Sequence, residues 1–237
     1  MAEKMIINNS DLPDSSPRTL VLIMAAAVMG VLIAAVYLPI WQPSLVSSIL
    51  GDSPKAYWFL SRGSALAAYG LLCLSMALGI AITNKLARAW PGGPTAFDLH
   101  QYVSILGIGF AIFHGMILLG DQYINFRAAQ IFVPFSALAY KPLWVGLGQL
   151  AFYLWVLVTL SFYVRRRISN KTWRWVHYLS YLTFGLALLH GIASGTDTSA
   201  AWAAGMYWVS GVSLLFLLVY RITATFMGKP TPNRIAG

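Results

Sequence analysis

Charge is what this sequence has least of. Of its 237 residues, 10% are charged and 58% are hydrophobic, whereas a soluble domain carries about 25% charge. Acidic residues are scarcest, seven against sixteen lysines and arginines. This balance excludes a water-soluble globular domain and leaves an integral membrane protein. Cysteine is nearly absent, with Cys73 alone inside an apolar run. One thiol excludes a disulfide framework, a cysteine-ligated iron–sulfur cluster and the C-x-x-C-H attachment of c-type haem. Cys73 itself reads as a core residue.

A net charge of +9 would suit nucleic acid if it formed a patch. Here the basic residues fall between apolar stretches, where they set orientation and meet anionic headgroups. Membrane lipid is therefore an expected partner and nucleic acid is not. The stretch Gly146-Leu147-Gly148-Gln149-Leu150-Ala151 matches G-x-G-x-x-A. It lies within an apolar span and follows no strand, so it is not a dinucleotide fingerprint. No flavin or nicotinamide site is expected in the chain.

A helix needs about 20 apolar residues to cross a bilayer, and six stretches qualify: Leu20 to Ile40, Trp58 to Ile82, Phe97 to Leu119, Leu143 to Val164, Trp173 to Ala193 and Ala203 to Ala224. The fifth is the weakest by hydropathy. The first exceeds the ~7–15 apolar residues of a signal peptide and reads as a true helix after a polar tail containing Glu3, Asp11 and Asp14. The expectation is an all-α, polytopic membrane bundle of six helices over residues 19–226, flanked by tails 1–18 and 227–237. With the N-terminus inside, twelve basic residues fall on the inner side: Lys4, Arg18, Lys85, Arg88, Arg165, Arg166, Arg167, Lys171, Arg174, Arg221, Lys229 and Arg234. Four fall outside: Lys55, Arg62, Arg127 and Lys141. Both termini are then cytoplasmic by the positive-inside rule. Trp41, Trp58, Trp90, Trp144, Trp173, Trp175 and Trp202 lie near segment ends and read as an aromatic belt. The loop from Gly120 to Lys141 carries Tyr123, Phe126, Ile131, Phe132, Phe135 and Tyr140. It is expected to fold back onto the outer surface and roof a cofactor.

All four histidines lie in membrane-length segments. His100 and His114 are 14 residues apart in the third span, and His177 and His190 are 13 apart in the fifth. An intramembrane imidazole is costly and usually marks a site. Both spans run from inside to outside, and the pairs are separated by about 21 Å and about 19.5 Å of rise. His100 can therefore face His177 near the inner side and His114 can face His190 near the outer side, each pair gripping one haem iron between spans three and five. Two neutral imidazoles leave iron no open position, which suits electron transfer. Ligands spread over about 20 Å cannot converge on one zinc ion. The angular match is looser: fourteen residues fall about 40° short of four turns and thirteen about 140° short. A distortion near Gly185 or haems offset around the bundle would reconcile them. Each second ring nitrogen needs an acceptor, a carbonyl, serine or tyrosine; Tyr102, Ser104, Ser180 and Tyr181 are near in sequence. Arg62, at the outer level, is a candidate for binding a haem propionate, and Arg174, three residues before His177, for the inner one.

These features resemble the ferric reductase-like transmembrane domain, the family of the membrane halves of NADPH oxidases and ferric reductases and of the haem subunit of a bacterial periplasmic methionine sulfoxide reductase system. The resemblance covers Trp58 to Ala224. Its matching pieces are Ser61-Arg62-Gly63, His100 with His114, Pro134-Phe135 with Tyr140-Lys141-Pro142, Gly146-Leu147-Gly148, Trp173-Arg174 with His177, Tyr181 and His190-Gly191, and Gly195-Thr196-Asp197. It implies two b-type haems, His100/His177 inner and His114/His190 outer, with Arg62 near the outer one, in a bacterial-type cytoplasmic membrane. Members with a fused flavin and nicotinamide domain draw electrons from cytosolic NADPH. With no such domain in this sequence, a separate donor is expected, a flavoprotein reductase or a membrane quinol. The acceptor is ferric iron, oxygen or an external redox partner. Two other readings stay open: a quinol-oxidising cytochrome b subunit of a larger complex, and a non-haem transporter with proton-relay histidines. The transporter calls for further acidic groups inside the helices, and only Asp98 comes near one.

Overall fold

The computed structural model describes residues 17–41, 56–121, 124–138 and 140–227. The described part is helical: α1 (Pro17–Trp41), α2 (Ala56–Thr83), α3 (Gly93–Ile117), the five-residue α4 (Ala128–Phe132), α5 (Pro142–Val164), α6 (Asn170–Ser194) and α7 (Ala201–Met227). The helix starts follow local chemistry. Pro142 opens α5 at a position where its missing N–H costs nothing. Ser169 caps α6 by accepting the Thr172 N–H at 3.1 Å.

Among the described residues five helices are long and apolar enough to cross a membrane: Ala56–Thr83, α3 with its 3₁₀ extension (Gly93–Gly120), Pro142–Val164, Asn170–Ser194 and Ala201–Tyr220. The fourth of these has the lowest hydropathy, as expected of the histidine-bearing span. The sequence led to six spans. The additional one corresponds to α1, whose described apolar run is Leu20–Gly30. The tails before Pro17 and after Met227, and Tyr123 of the loop, lie outside the described residues.

The bundle is built from two antiparallel hairpins, α2 with α3 and α5 with α6, while α7 packs more lightly on α2 and α6. Their shared core holds Tyr69, Leu72, Met76, Trp155, Phe184 and Leu214. Large apolar side chains such as Phe59, Leu157, Leu182 and Phe216 point outward, as suits helices solvated by lipid tails. The hairpins approach closely where Trp155 of α5 lies over Gly107 of α3. A Cβ on Gly107 would come within 2.5 Å of the indole, so the small residue is what admits the ring.

The loop expected to fold back does so through α4. The Gln149 amide of α5 donates to the carbonyls of Gln130 and Ile131, both at 2.7 Å, and the Tyr153 hydroxyl donates to the Phe132 carbonyl. Ile131 lies 3.4 Å from where a Gly115 Cβ would stand on α3. So α4 closes the gap between α3 and α5, and the two side chains of α5 satisfy carbonyls at its end, which non-spanning backbone at membrane depth requires.

Gly107→Ala is expected to lower stability by about 1–3 kcal/mol through overpacking against Trp155. Thermal unfolding in detergent, compared with Gly70→Ala, whose surroundings are open, measures it.

Candidate functional site

The four histidines meet in the two pairs that their spacing called for. The ring centroids of His100 and His177 are 6.2 Å apart, with planes at 70°; those of His114 and His190 are 6.3 Å apart at 69°. A metal–imidazole bond of about 2.0–2.1 Å, with each nitrogen about 1.2 Å from its ring centroid, puts two imidazoles on one metal roughly 6–6.5 Å apart. Both pairs stand at a separation that two imidazoles sharing one metal would have. Among the described residues no three of His, Cys, Asp and Glu come together, so a single-ion cage made of protein ligands is not formed there.

Three of the rings are anchored from behind. The Nδ1–H of His100 donates to the Ser75 carbonyl at 2.9 Å, that of His114 to the Ser61 carbonyl at 2.9 Å, and that of His190 to the Trp144 carbonyl at 2.8 Å. This fixes the tautomer and leaves Nε2 with its lone pair free to ligate. The acceptors lie on the adjacent helix of each hairpin, not among Tyr102, Ser104, Ser180 and Tyr181. Ser104 instead bonds Ser75 Oγ at 2.7 Å and the His100 carbonyl at 2.6 Å. His177 stacks on Trp173, one turn earlier, at 5.1 Å and 28°.

A local rule explains how the rings reach helix carbonyls. Four residues after each acceptor stands a small residue: Gly79 after Ser75, Ala65 after Ser61, Gly148 after Trp144. A Cβ on Gly79 would lie 3.3 Å from the His100 ring, and one on Gly148 would lie 2.5 Å from His190 Nδ1. The neighbouring Gly146 leaves room for the Phe135 ring of the loop, 2.1 Å from its would-be Cβ. The glycines of the misleading G-x-G-x-x-A string are thus contact sites within α5. Helix α6 runs unbroken through Gly185, one of the two places where the angular mismatch could have been taken up.

Each pair lines its own cavity. The His114–His190 cavity, about 310 Å³, is walled by α2, α3, α5, α6 and by Ile124, Phe126, Ile131 and Phe132 of the folded-back loop. The His100–His177 cavity, about 300 Å³, includes Phe97, Trp173 and Arg174. Leu72, Trp155 and Thr183 border both and form the partition between them.

Arg62 stands on the His114–His190 cavity, where its guanidinium pairs with Asp197 and lies 4.1 Å above the Trp58 ring. Its Nε is buried without a partner. Arg174 borders the other cavity as an exposed side chain, while the buried donor without a partner there is Trp173 Nε1. Sequence reasoning missed Trp155 and Ser75 as parts of the site, and it named Ser61 and Asp197 within matching motifs without giving either a role. It also placed Trp58 and Trp173 in an aromatic belt, whereas the Arg62 guanidinium lies over the Trp58 ring and the Trp173 ring stacks on His177. A legible signal existed: Ser61 and Ser75 repeat the 14-residue spacing of the histidines they serve.

Gly148→Ala is expected to destabilise the protein by about 1–3 kcal/mol and to break the His190–Trp144 hydrogen bond, while Gly63→Ala, in open space, leaves stability within about 0.5 kcal/mol. Thermal unfolding of the two variants side by side tests this.

A family model described as ferric reductase like transmembrane component matches residues 64–188. The match contains His100, His114 and His177; Arg62 lies two residues before it and His190 two after. No curated protein and no solved structure matches the chain. A family model that takes in just over half of the 237 residues, on five apolar helices long enough to cross a membrane, makes this chain a member of the ferric reductase-like transmembrane family.

Proposed function

We propose that the chain is a b-type dihaem cytochrome that carries electrons from a cytoplasmic or quinol donor to an acceptor on the outer face of a bacterial-type cytoplasmic membrane. The single observation that carries the reading is the matched pair of imidazole pairs, at 6.2 and 6.3 Å. Family membership supports a membrane electron-transfer function. In this reading α1 is a sixth span, both termini are cytoplasmic, and the His100–His177 cavity is the inner one.

The residues present fit the group. Haem, when bound, supplies reversible one-electron chemistry at iron. His100 and His177 would hold the inner haem, and His114 and His190 the outer. The anchored tautomers keep three of the ligating nitrogens aimed and deprotonated. The cavities are largely apolar, yet each holds a buried N–H without a protein partner: Arg62 Nε in the outer and Trp173 Nε1 in the inner. Those are the donors that a propionate edge needs. Arg62 remains the outer propionate candidate, and Trp173 joins Arg174 at the inner. The partition places the Trp155 indole between the two sites, where a polarisable ring shortens the gap that a pathway must cross. The folded-back loop forms part of the wall of the outer cavity. Moving an electron across the membrane is worth about 2.3 kcal/mol per 100 mV, so the direction has an energetic consequence.

Pyridine haemochrome assay of purified protein is expected to give two b haems per chain. His114→Ala is expected to lower this to one and to stop reduction of an external acceptor. A haem-free folded wild type, made with ample haem supply, sinks the reading and promotes the transporter. Trp155→Leu is expected to retain both haems and to slow reduction of the external acceptor several-fold in proteoliposomes.

A further inference from the structure

The two histidines of α3 are anchored alike, yet the hydroxyls around them differ. His100 and His114 each donate Nδ1–H to the carbonyl of a serine on α2, Ser75 and Ser61. Each also lies close to that serine's own hydroxyl, at 3.2 and 3.1 Å. The shared 14-residue interval lets the two surroundings be compared position by position. Four residues after His100 stands Ser104, and four after His114 stands Leu118; three residues after Ser75 stands Leu78, and three after Ser61 stands Ser64. Each site thus has one hydroxyl that the other replaces with leucine, and the two hydroxyls enter the network at different points.

At the His100 site the proton positions follow from the acceptors. The Ser104 hydroxyl has one proton and donates it to the His100 carbonyl at 2.6 Å. The 2.7 Å contact between Ser75 Oγ and Ser104 Oγ is then a donation from Ser75. With its proton committed, Ser75 Oγ offers lone pairs to the His100 Nδ1–H, beside the Ser75 carbonyl. Bonds in such a chain polarise one another, by roughly 10–30% each. Both serines are buried, so the hydroxyls stay with each other. The His100 ring is drawn toward imidazolate and becomes a stronger electron donor at Nε2.

At the His114 site the extra hydroxyl acts in the opposite sense. Ser64, also buried, donates to the carbonyls of Leu60 at 2.7 Å and Ser61 at 3.0 Å. The Ser61 carbonyl is the acceptor of the His114 Nδ1–H, so a rival donor takes up part of its capacity. Leu118 has no hydroxyl with which to polarise Ser61 Oγ. The His114 ring stays nearer to neutral imidazole.

We propose that Ser104 and Ser64 are positioning residues that hold the two haem sites at different reduction potentials, Ser104 lowering that of the His100–His177 site and Ser64 raising that of the His114–His190 site. An electron-rich axial imidazole favours ferric over ferrous iron, and hydrogen bonding behind the ligand is one of the levers on a haem potential. The inference rests on the dihaem reading above. Neither serine bonds a ligating nitrogen; each acts through the serine of α2 that holds the ring.

The test is a spectroelectrochemical redox titration of the full-length protein in detergent, with haem content read on the same samples. His114→Ala, which keeps only the inner haem, assigns the two midpoints. Ser104→Ala is expected to raise the inner midpoint and Ser64→Ala to lower the outer one. Each shift is expected to be about threefold in the oxidised-to-reduced ratio at fixed potential, where tenfold corresponds to about 59 mV. Ser75→Ala interrupts the same chain, keeps the carbonyl anchor and is expected to raise the inner midpoint as Ser104→Ala does, and the double variant is expected to raise it no further. Ser75→Ala also carries the test if Ser104→Ala does not fold. With two haems bound, midpoints that stay in place, or that move the same way in Ser104→Ala and Ser64→Ala, overturn the proposal and leave the dihaem reading standing. A folded wild type without haem overturns both.

Discussion

The structure depends on the cost of an imidazole N–H in lipid. Within the hydrocarbon region no water is available, so each ring must find an acceptor in the protein. Three histidines find it in a main-chain carbonyl of the neighbouring helix, at 2.8–2.9 Å. Helix carbonyls are already engaged with the N–H four residues on, and a ring can join that bond only where the residue four on is small. Gly79, Ala65 and Gly148 meet that condition. The same contact decides the tautomer, so the need for a hydrogen-bond partner and the need for a free ligating nitrogen are met by one bond.

That bond also sets the helix register. Moving 14 residues along α3, from His100 to His114, moves 14 residues back along α2, from Ser75 to Ser61. In an antiparallel pair these are two readings of one alignment, so a slip of α2 against α3 would orphan both imidazoles together. The second hairpin is aligned by His190 on Trp144. Each histidine pair then takes one ring from α3 and one from α6, and the Trp155 ring over Gly107 limits how far the hairpins separate. The cavities are the space left between two independently aligned hairpins.

Much of this was legible in the sequence. Apolar length gave five of the six expected spans as membrane-length helices, and the 14 and 13 spacing gave the pairing, because rise along a helix is a linear count. Rotation was less legible. The 13-residue interval left an angular mismatch of about 140° that either a distortion near Gly185 or sites offset around the bundle could take up, and α6 is continuous through Gly185. A backbone carbonyl was among the acceptors expected, and three rings use one, but its position was not legible. Tyr102, Ser104, Ser180 and Tyr181 are near in sequence, but a residue on the same helix rarely presents a free acceptor to a ring that points away from the axis. Tryptophans at segment ends look alike whether they face lipid or a cavity, so Trp58 and Trp173 could not be sorted by position. Asp197 lies in the turn between α6 and α7, and loop geometry is not written in periodicity.

The ion pair between Arg62 and Asp197 is best understood by counting donors. A guanidinium offers five N–H groups in a plane, and one carboxylate engages at most two of them well. Asp197 therefore balances the charge without exhausting the fork, and Nε stays buried and open. An arginine left alone at this depth would carry a large desolvation cost, and a paired one much less. Pairing within the protein is what allows a cation to be held beside His114 before any second anion arrives. The turn that presents Ser61 to the imidazole presents Arg62 to the same cavity, so imidazole orientation and charge compensation are set by adjacent residues of one helix.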